Sequence, residues 1–105
     1  MSDPFYILTN QTTNATSSFV TIVGSGLHLA EFEGTTGSAS VALVAKGAQK
    51  RTSVPITDVL GATLTFTVPV QKPIYLCHGE EVAAVVTSAS GTTNISLTLR
   101  KVREN

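Results

Sequence analysis

The chain has 105 residues, 42% hydrophobic and 13% charged, and seven basic residues balance seven acidic ones to a formal net charge of zero. That length suits one domain, and an uncharged chain has no field to draw in nucleic acid or an anionic membrane, which sets aside phosphate-driven binding. About a quarter charged is ordinary for a soluble domain, so Ser and Thr, about a quarter of this chain, must cover much of the surface, a role that hydroxyl-bearing β-formers fill on the wet side of a sheet.

In chain order, Phe5 to Leu8 form a short apolar run, and the polar stretch Thr9 to Thr16 reads as an extended arm or a loop. Ser18 to Val23 alternate in polarity, and Gly24, Ser25 and Gly26 make a turn into a strand carrying Leu27 and Leu29, which predicts a hairpin. Gly34 to Gly37 mark the next turn, followed by an alternating strand over Ser38 to Ala45 with Val41 and Leu43 on one face. Lys46 to Ser53 has no apolar period and reads as a solvated loop; Val54 to Leu60 carries a proline, which restricts it to an edge strand or a turn. Thr63 to Val68 alternates most cleanly and is the strongest strand expectation, ended by Pro69. Pro73 opens the apolar piece Ile74 to Cys77, Val82 to Val86 reads as a central strand buried on both faces, and Ser90 to Thr93 turn the chain into a last strand over Asn94 to Val102. About eight strands, with turns every 8–12 residues or so, give an all-β, single-domain antiparallel β-sandwich. Residues 1–16 are its N-terminal arm or its first strand with a polar loop, and 17–105 its body.

A single cysteine, Cys77, permits no internal disulfide. The start, Met1 to Pro4, has neither the basic region nor the apolar run of a signal peptide, and no segment approaches the length of a membrane span. Synthesis and folding in a cytoplasm are therefore expected. Asn10, Asn14 and Asn94 each begin an Asn-X-Ser/Thr triplet, which a Thr-rich composition produces without any glycosylation.

Few residues suggest chemistry. Cys77, His78, Gly79, Glu80 and Glu81 are the densest reactive cluster. Neighbours on a strand point to opposite faces, so Cys77 and His78 make no nucleophilic dyad, and His28 lacks the companions of a zinc site. Cys77 is instead expected in the core, with His78, Glu80 and Glu81 in a polar turn. Glu31 and Glu33 share a face, but no aromatic platform accompanies them. Phe5, Tyr6, Phe19, Phe32, Phe66 and Tyr75 fall mostly where burial is expected, which weakens a sugar-stacking reading. Lys46, Lys50 and Arg51 form one small basic patch and Arg100, Lys101 and Arg103 another, suited to an acidic protein surface or to plain solvation. Gly24-Ser25-Gly26 lacks the following helix of a phosphate loop. No catalytic residue, metal ligand or cofactor-binding residue is expected.

The stretches Phe32 to Leu43, Thr63 to Val68 and Glu81 to Leu99 together resemble parts of small bacteriophage virion proteins. In that group a strand ending in Gly-Thr-x-Gly leads into an alternating strand, and a penultimate apolar strand joins the last through a Ser/Gly/Thr turn. The resemblance covers about two-thirds of the chain and is one of architecture. It implies a jelly-roll-like sandwich acting in the virion as a capsid decoration (cement) protein, commonly a homotrimer bound to the major capsid protein. In many such proteins an Asp/Gly-rich segment occupies the place of Lys46 to Ser53, which here is basic. Phe5, Tyr6 and Ile7 are the expected partner-binding anchors, together with Lys46, Lys50 and Arg51; the alternative for the first three is the first strand of the domain's own sheet. If they are anchors, removing residues 1–9 abolishes capsid binding and leaves the fold intact. Two other roles fit the same features: a tail, fibre-base or head–tail adaptor subunit, and a small carbohydrate-binding module.

Overall fold

The computed structural model describes residues 5–47, 52, 54–57 and 63–104, and among them every regular element is a strand. In chain order these are β1 (Phe5–Gln11), β2 (Ala15–Thr16), β3 (Val20–Thr21), β4 (Gly26–Thr35), β5 (Ser40–Lys46), β6 (Val54–Pro55), β7 (Thr65–Phe66), β8 (Val70–Leu76), β9 (Glu81–Thr87) and β10 (Asn94–Glu104). They form two antiparallel sheets. The first runs β1-β10-β4-β8; in the second β9 lies between β5 and the short pieces β2 and β3, and β5 pairs in turn with β6 and β7.

The pairings are nested: β1 with β10, β2 and β3 with β9, β4 with β8, β5 with β6 and β7. With β2 and β3 filling one lane and β6 and β7 another, this is an eight-lane antiparallel ribbon whose successive pairs fall alternately in the two sheets. That is the jelly roll. The ladders β10·β4 and β9·β5 close the wrapped ribbon on itself.

Period-two alternation drives the layering. β4 buries Gly26, His28, Ala30 and Phe32, β5 buries Val41, Leu43 and Ala45, and β10 buries Ile95, Leu97 and Leu99. The faces meet in one core, where the rings of Phe32 and Phe66 lie 5.5 Å apart across the sheets, tilted by 41°. At the open edge Lys72 on β8 reaches across to the Thr65 carbonyl at 2.6 Å and lies 5.1 Å from the Phe66 ring centre, so its stem covers apolar surface while its ammonium joins the two sheets. As expected for a central strand, β9 buries Val82, Ala83 and Ala84 in succession.

Several expectations are corrected. The Ser18–Val23 and Leu27–Phe32 segments do not form a hairpin: β3 pairs with β9 in the second sheet and β4 with β10 and β8 in the first. The glycine turn carries the chain from one layer to the other. Thr63 to Val68 retains its alternation in burial, Leu64 and Phe66 inward and Thr65 and Thr67 outward, but only Thr65 and Phe66 enter the ladder with β5, at the sheet's edge. Pro73 does not open a strand but lies inside β8, an edge strand, where a missing amide is tolerated. Cys77 is exposed, because alternation directs Ile74 and Leu76 inward and leaves Tyr75 and Cys77 outward. Most of the basic loop, including Lys50 and Arg51, lies outside the described residues.

β1 belongs to the domain's own first sheet. Ile7 and Leu8 are both buried in the core, at an irregularity in the β1·β10 register. Removing residues 5–9 would strip the core of two apolar side chains and bare one edge of β10, so loss of folding, the outcome that goes with the first-strand alternative, is expected of such a deletion.

One end of the sandwich is held by hydroxyls. Buried Thr93 donates from Oγ1 to the Thr36 carbonyl at 2.8 Å and accepts from the Ser90 amide at 2.9 Å, while Ser38 donates to the Ser88 carbonyl and the Asn14 side chain accepts from the Ala89 amide. Three loops are thereby tied together. Next to them Gly34 has φ +111°, and a Cβ there would fall on the Asn94 carbonyl oxygen of β10. Gly34→Ala is expected to lower unfolding free energy by roughly 3 kcal/mol in a denaturant titration, whereas Gly91→Ala, with open space around it, leaves it within about 0.5 kcal/mol. Thr93→Val, which keeps the shape and removes both hydrogen bonds, is expected to cost about 1–3 kcal/mol in the same assay.

Candidate functional site

The outward side chains of the first sheet form the most distinctive exposed surface. Register places Leu27 beside Tyr75 and Leu29 beside Pro73 on β4 and β8, with Arg100 of β10 on the other side of Leu29. One row further along, Tyr6, Thr98, Glu31 and Gln71 stand side by side across all four strands. Tyr6 and Tyr75 are 60% and 53% exposed, and Val102, at the irregularity in β10, is also exposed. Both tyrosines lie on outward positions of the two edge strands, β1 and β8, whereas the aromatic residues as a group are expected to be mostly buried.

The charges amid this apolar surface satisfy one another. Arg100 Nε donates to Glu31 Oε1 at 3.2 Å, and Gln71 Nε2 donates to Glu31 Oε2 at 3.0 Å. Both carboxylate oxygens are thus occupied, so covering the face would strand no lone charge on Glu31. Glu33 is exposed at the next outward position.

The anticipated anchors that are described, Phe5, Tyr6, Ile7 and Lys46, fall in different places. The Phe5 backbone pairs with Leu99, Tyr6 faces outward and Ile7 is part of the core. Lys46, at the end of β5 in the second sheet, has its ammonium 4.5 Å from the Phe19 ring centre, a cation–π contact within the domain. The second basic patch is divided by strand alternation. Arg100 lies on the outer face with Glu31, and Lys101 lies opposite His28 on the inner-facing register. Sequence reasoning missed Leu27, Leu29, Pro73 and Tyr75 as a surface because each was read as ordinary strand filling. Their two-residue spacing was visible, but which side of the sheet meets the core depends on the partner strands.

The reactive cluster forms the turn between β8 and β9. His78 and Gly79 are its tip, Cys77 is exposed, and the Cys77 amide donates to Glu80 Oε1 at 2.6 Å. Among the described residues no group of three or more His, Cys, Asp or Glu side chains is placed to hold a metal ion, and no helix is long and apolar enough to cross a membrane.

No protein-family model matches the chain, and no curated protein matches it. Among solved structures it is similar to Eiger TNF from S. frugiperda, at 12% identity and a TM-score of 0.47, with 83% of this chain and 66% of that one covered. The chain thus spans just under two thirds of the length of that protein.

Proposed function

We propose that this protein is a non-enzymatic structural protein of a bacteriophage virion, a decoration (cement) subunit that self-associates, with a trimer favoured, and stabilises the capsid by binding across subunits of the major capsid protein. The observation that carries this reading is the outer face of the first sheet, apolar at Leu27, Leu29, Pro73 and Tyr75 and internally neutralised at Glu31 and Arg100. A face of that kind suits permanent cover.

A second copy of the same chain is the occupant that the charge pattern favours. The whole chain is neutral, and two copies of the face meet without like-charge repulsion at Glu31 and Arg100, which are already paired. Near-zero net charge also favours association over dispersal. The Ser- and Thr-rich remainder offers hydrogen bonds to a capsid surface with little charge to desolvate.

Exposed tyrosines favour a second reading, a small carbohydrate-binding module, because sugars stack on exposed aromatic rings. Tyr6 and Tyr75 lie on opposite edge strands, three strand spacings apart across the sheet and four residues apart along it, roughly 20 Å by strand geometry, so they would grip a chain of several sugars and not a single ring. Binding on a glycan array that is lost in Tyr6→Ala and Tyr75→Ala would establish it, and silence across the array removes it. A tail, fibre-base or head–tail adaptor role shares the same surface and differs in location, which immunogold labelling of the virion separates.

The decoration reading is tested by light scattering followed by co-sedimentation with undecorated capsids. The expected result is three times the chain mass in solution, pelleting with capsids and a rise in capsid melting temperature. Tyr75→Glu, at an exposed position, is expected to shift the mass toward the monomer by placing an unpaired charge in the covered face, with its own unfolding free energy changed by less than about 1 kcal/mol. A wild-type monomer that ignores capsids overturns the proposal. Arg100→Ala removes a half-exposed ion pair, so in the monomeric Tyr75→Glu background it is expected to cost no more than about 1 kcal/mol of stability.

A further inference from the structure

At the end of the sandwich opposite Thr93, two connections cross between the layers: residues 22–25, leading from β3 into β4, and residues 77–80, leading from β8 into β9. They are clasped by hydrogen bonds running both ways. The Ile22 amide donates to the Glu80 carbonyl at 2.8 Å, the Gly79 amide to the Ile22 carbonyl at 2.9 Å, and the His78 amide to Ser25 Oγ at 2.9 Å. The fourth bond involves a titratable acceptor, for the Gly24 amide donates to His78 Nδ1 at 2.8 Å.

An imidazole nitrogen accepts a hydrogen bond only while it carries a lone pair. The bond from the Gly24 amide is therefore one that only a neutral His78 ring, with its proton on Nε2, can accept. At His28, two residues into β4, the charged form is disfavoured for a different reason. This side chain is 2% exposed, and its Nδ1 lies 2.9 Å from the Gly26 carbonyl, which requires the proton on that nitrogen. A second proton on His28 would preserve that bond but place a cation inside the sandwich.

We propose that this end of the fold is an acid-operated latch: proton uptake by His78 withdraws the acceptor from the Gly24 amide, proton uptake by His28 buries a charge beneath it, and the two connections part while the rest of the sandwich stays folded. The device is independent of the virion reading. Among the described side chains, the charged groups that bear on His28 are Lys101 from β10 and Glu80 from the β8–β9 turn, while β8 itself presents Ile74. Lys101 reaches over the turn, since a Cβ on Gly24 would meet its ammonium. It opposes a cationic His28, whereas Glu80, already engaged by the Cys77 amide, favours one.

Burial is the largest influence and lowers the His28 pKa from the ordinary 6.5; the Gly26 carbonyl and Glu80 work against it and Lys101 with it. The sign follows from proton linkage. The unfolded chain takes up the proton more readily than the folded one, so the stability due to neutral His28 is complete above about pH 6.5 and is lost as pH falls below that value toward the lowered folded pKa.

The test is amide hydrogen exchange resolved by residue with NMR, on the full chain, between pH 7.5 and 5. Protection factors at Ile22, Gly24 and Gly79 are expected to fall with acid, by up to about tenfold per pH unit for each proton taken up, while Ala39, Ala89 and Thr93 at the far end keep theirs. His78→Asn places a non-titrating acceptor near the Nδ1 position and is expected to hold Gly24 protected in acid; His28→Asn keeps a donor for the Gly26 carbonyl and is expected to flatten the pH dependence at Ile22. Equal acid loss at both ends overturns the proposal, as does a His78→Asn protein that loses Gly24 protection as the wild type does. The wild-type profile alone decides the matter if either variant fails to fold.

Discussion

The ladder between β10 and β4 is the constraint from which the rest of the fold follows. It pairs Asn94 through Glu104 with Thr35 through Gly26 at the centre of the first sheet, and its inward residues, Ile95, Leu97, Leu99, Ala30 and Phe32, are all buried. These strands are far apart in sequence, so closing the ladder has a large loop-entropy cost that only broad apolar burial offsets. Once it forms, β1 and β8 have one free edge each to occupy, and the connections from β4 to β5 and from β9 to β10 fall at the same end. The hydroxyl cluster around Thr93 fixes those connections, and Gly34 lets β4 approach β10 where any side chain would collide.

The two ends of the sandwich are secured by different chemistry. Hydroxyl and amide groups at the Thr93 end do not titrate in the accessible pH range, so that end holds its bonds in acid and base alike. The opposite end uses an imidazole as an acceptor and buries a second one beside it. A sandwich built this way has one permanent end and one conditional end. The outer face of the first sheet runs between them, so a self-association surface there would span both.

Polar satisfaction also explains the character of that outer face. A lone Glu31 amid Leu29 and Tyr6 would keep the face wet, but Arg100 and Gln71 between them engage both of its oxygens. The pair contributes little to the stability of an exposed monomer because solvent screens it. Its larger consequence is to make the surface around it coverable without leaving the Glu31 carboxylate unmatched.

Much of the architecture was legible in the chain. Two-residue alternation over Ser38–Ala45 and Asn94–Arg100 identified half-buried strands, and the continuous apolar run Val82–Val86 identified a central one. Alternation is a local property of the backbone, so it survives without knowledge of the partner. Pairing is not local. Nothing near Gly24–Gly26 reveals that β3 and β4 lie in different sheets, and nothing in Thr63–Val68 reveals that two residues of it enter a ladder, because those outcomes depend on strands dozens of positions away. For the same reason the sequence alone placed Cys77 in the core, and only the tertiary structure put it outside. A strand's pattern determines that one face is buried, while the side on which the second sheet lies determines which face it is.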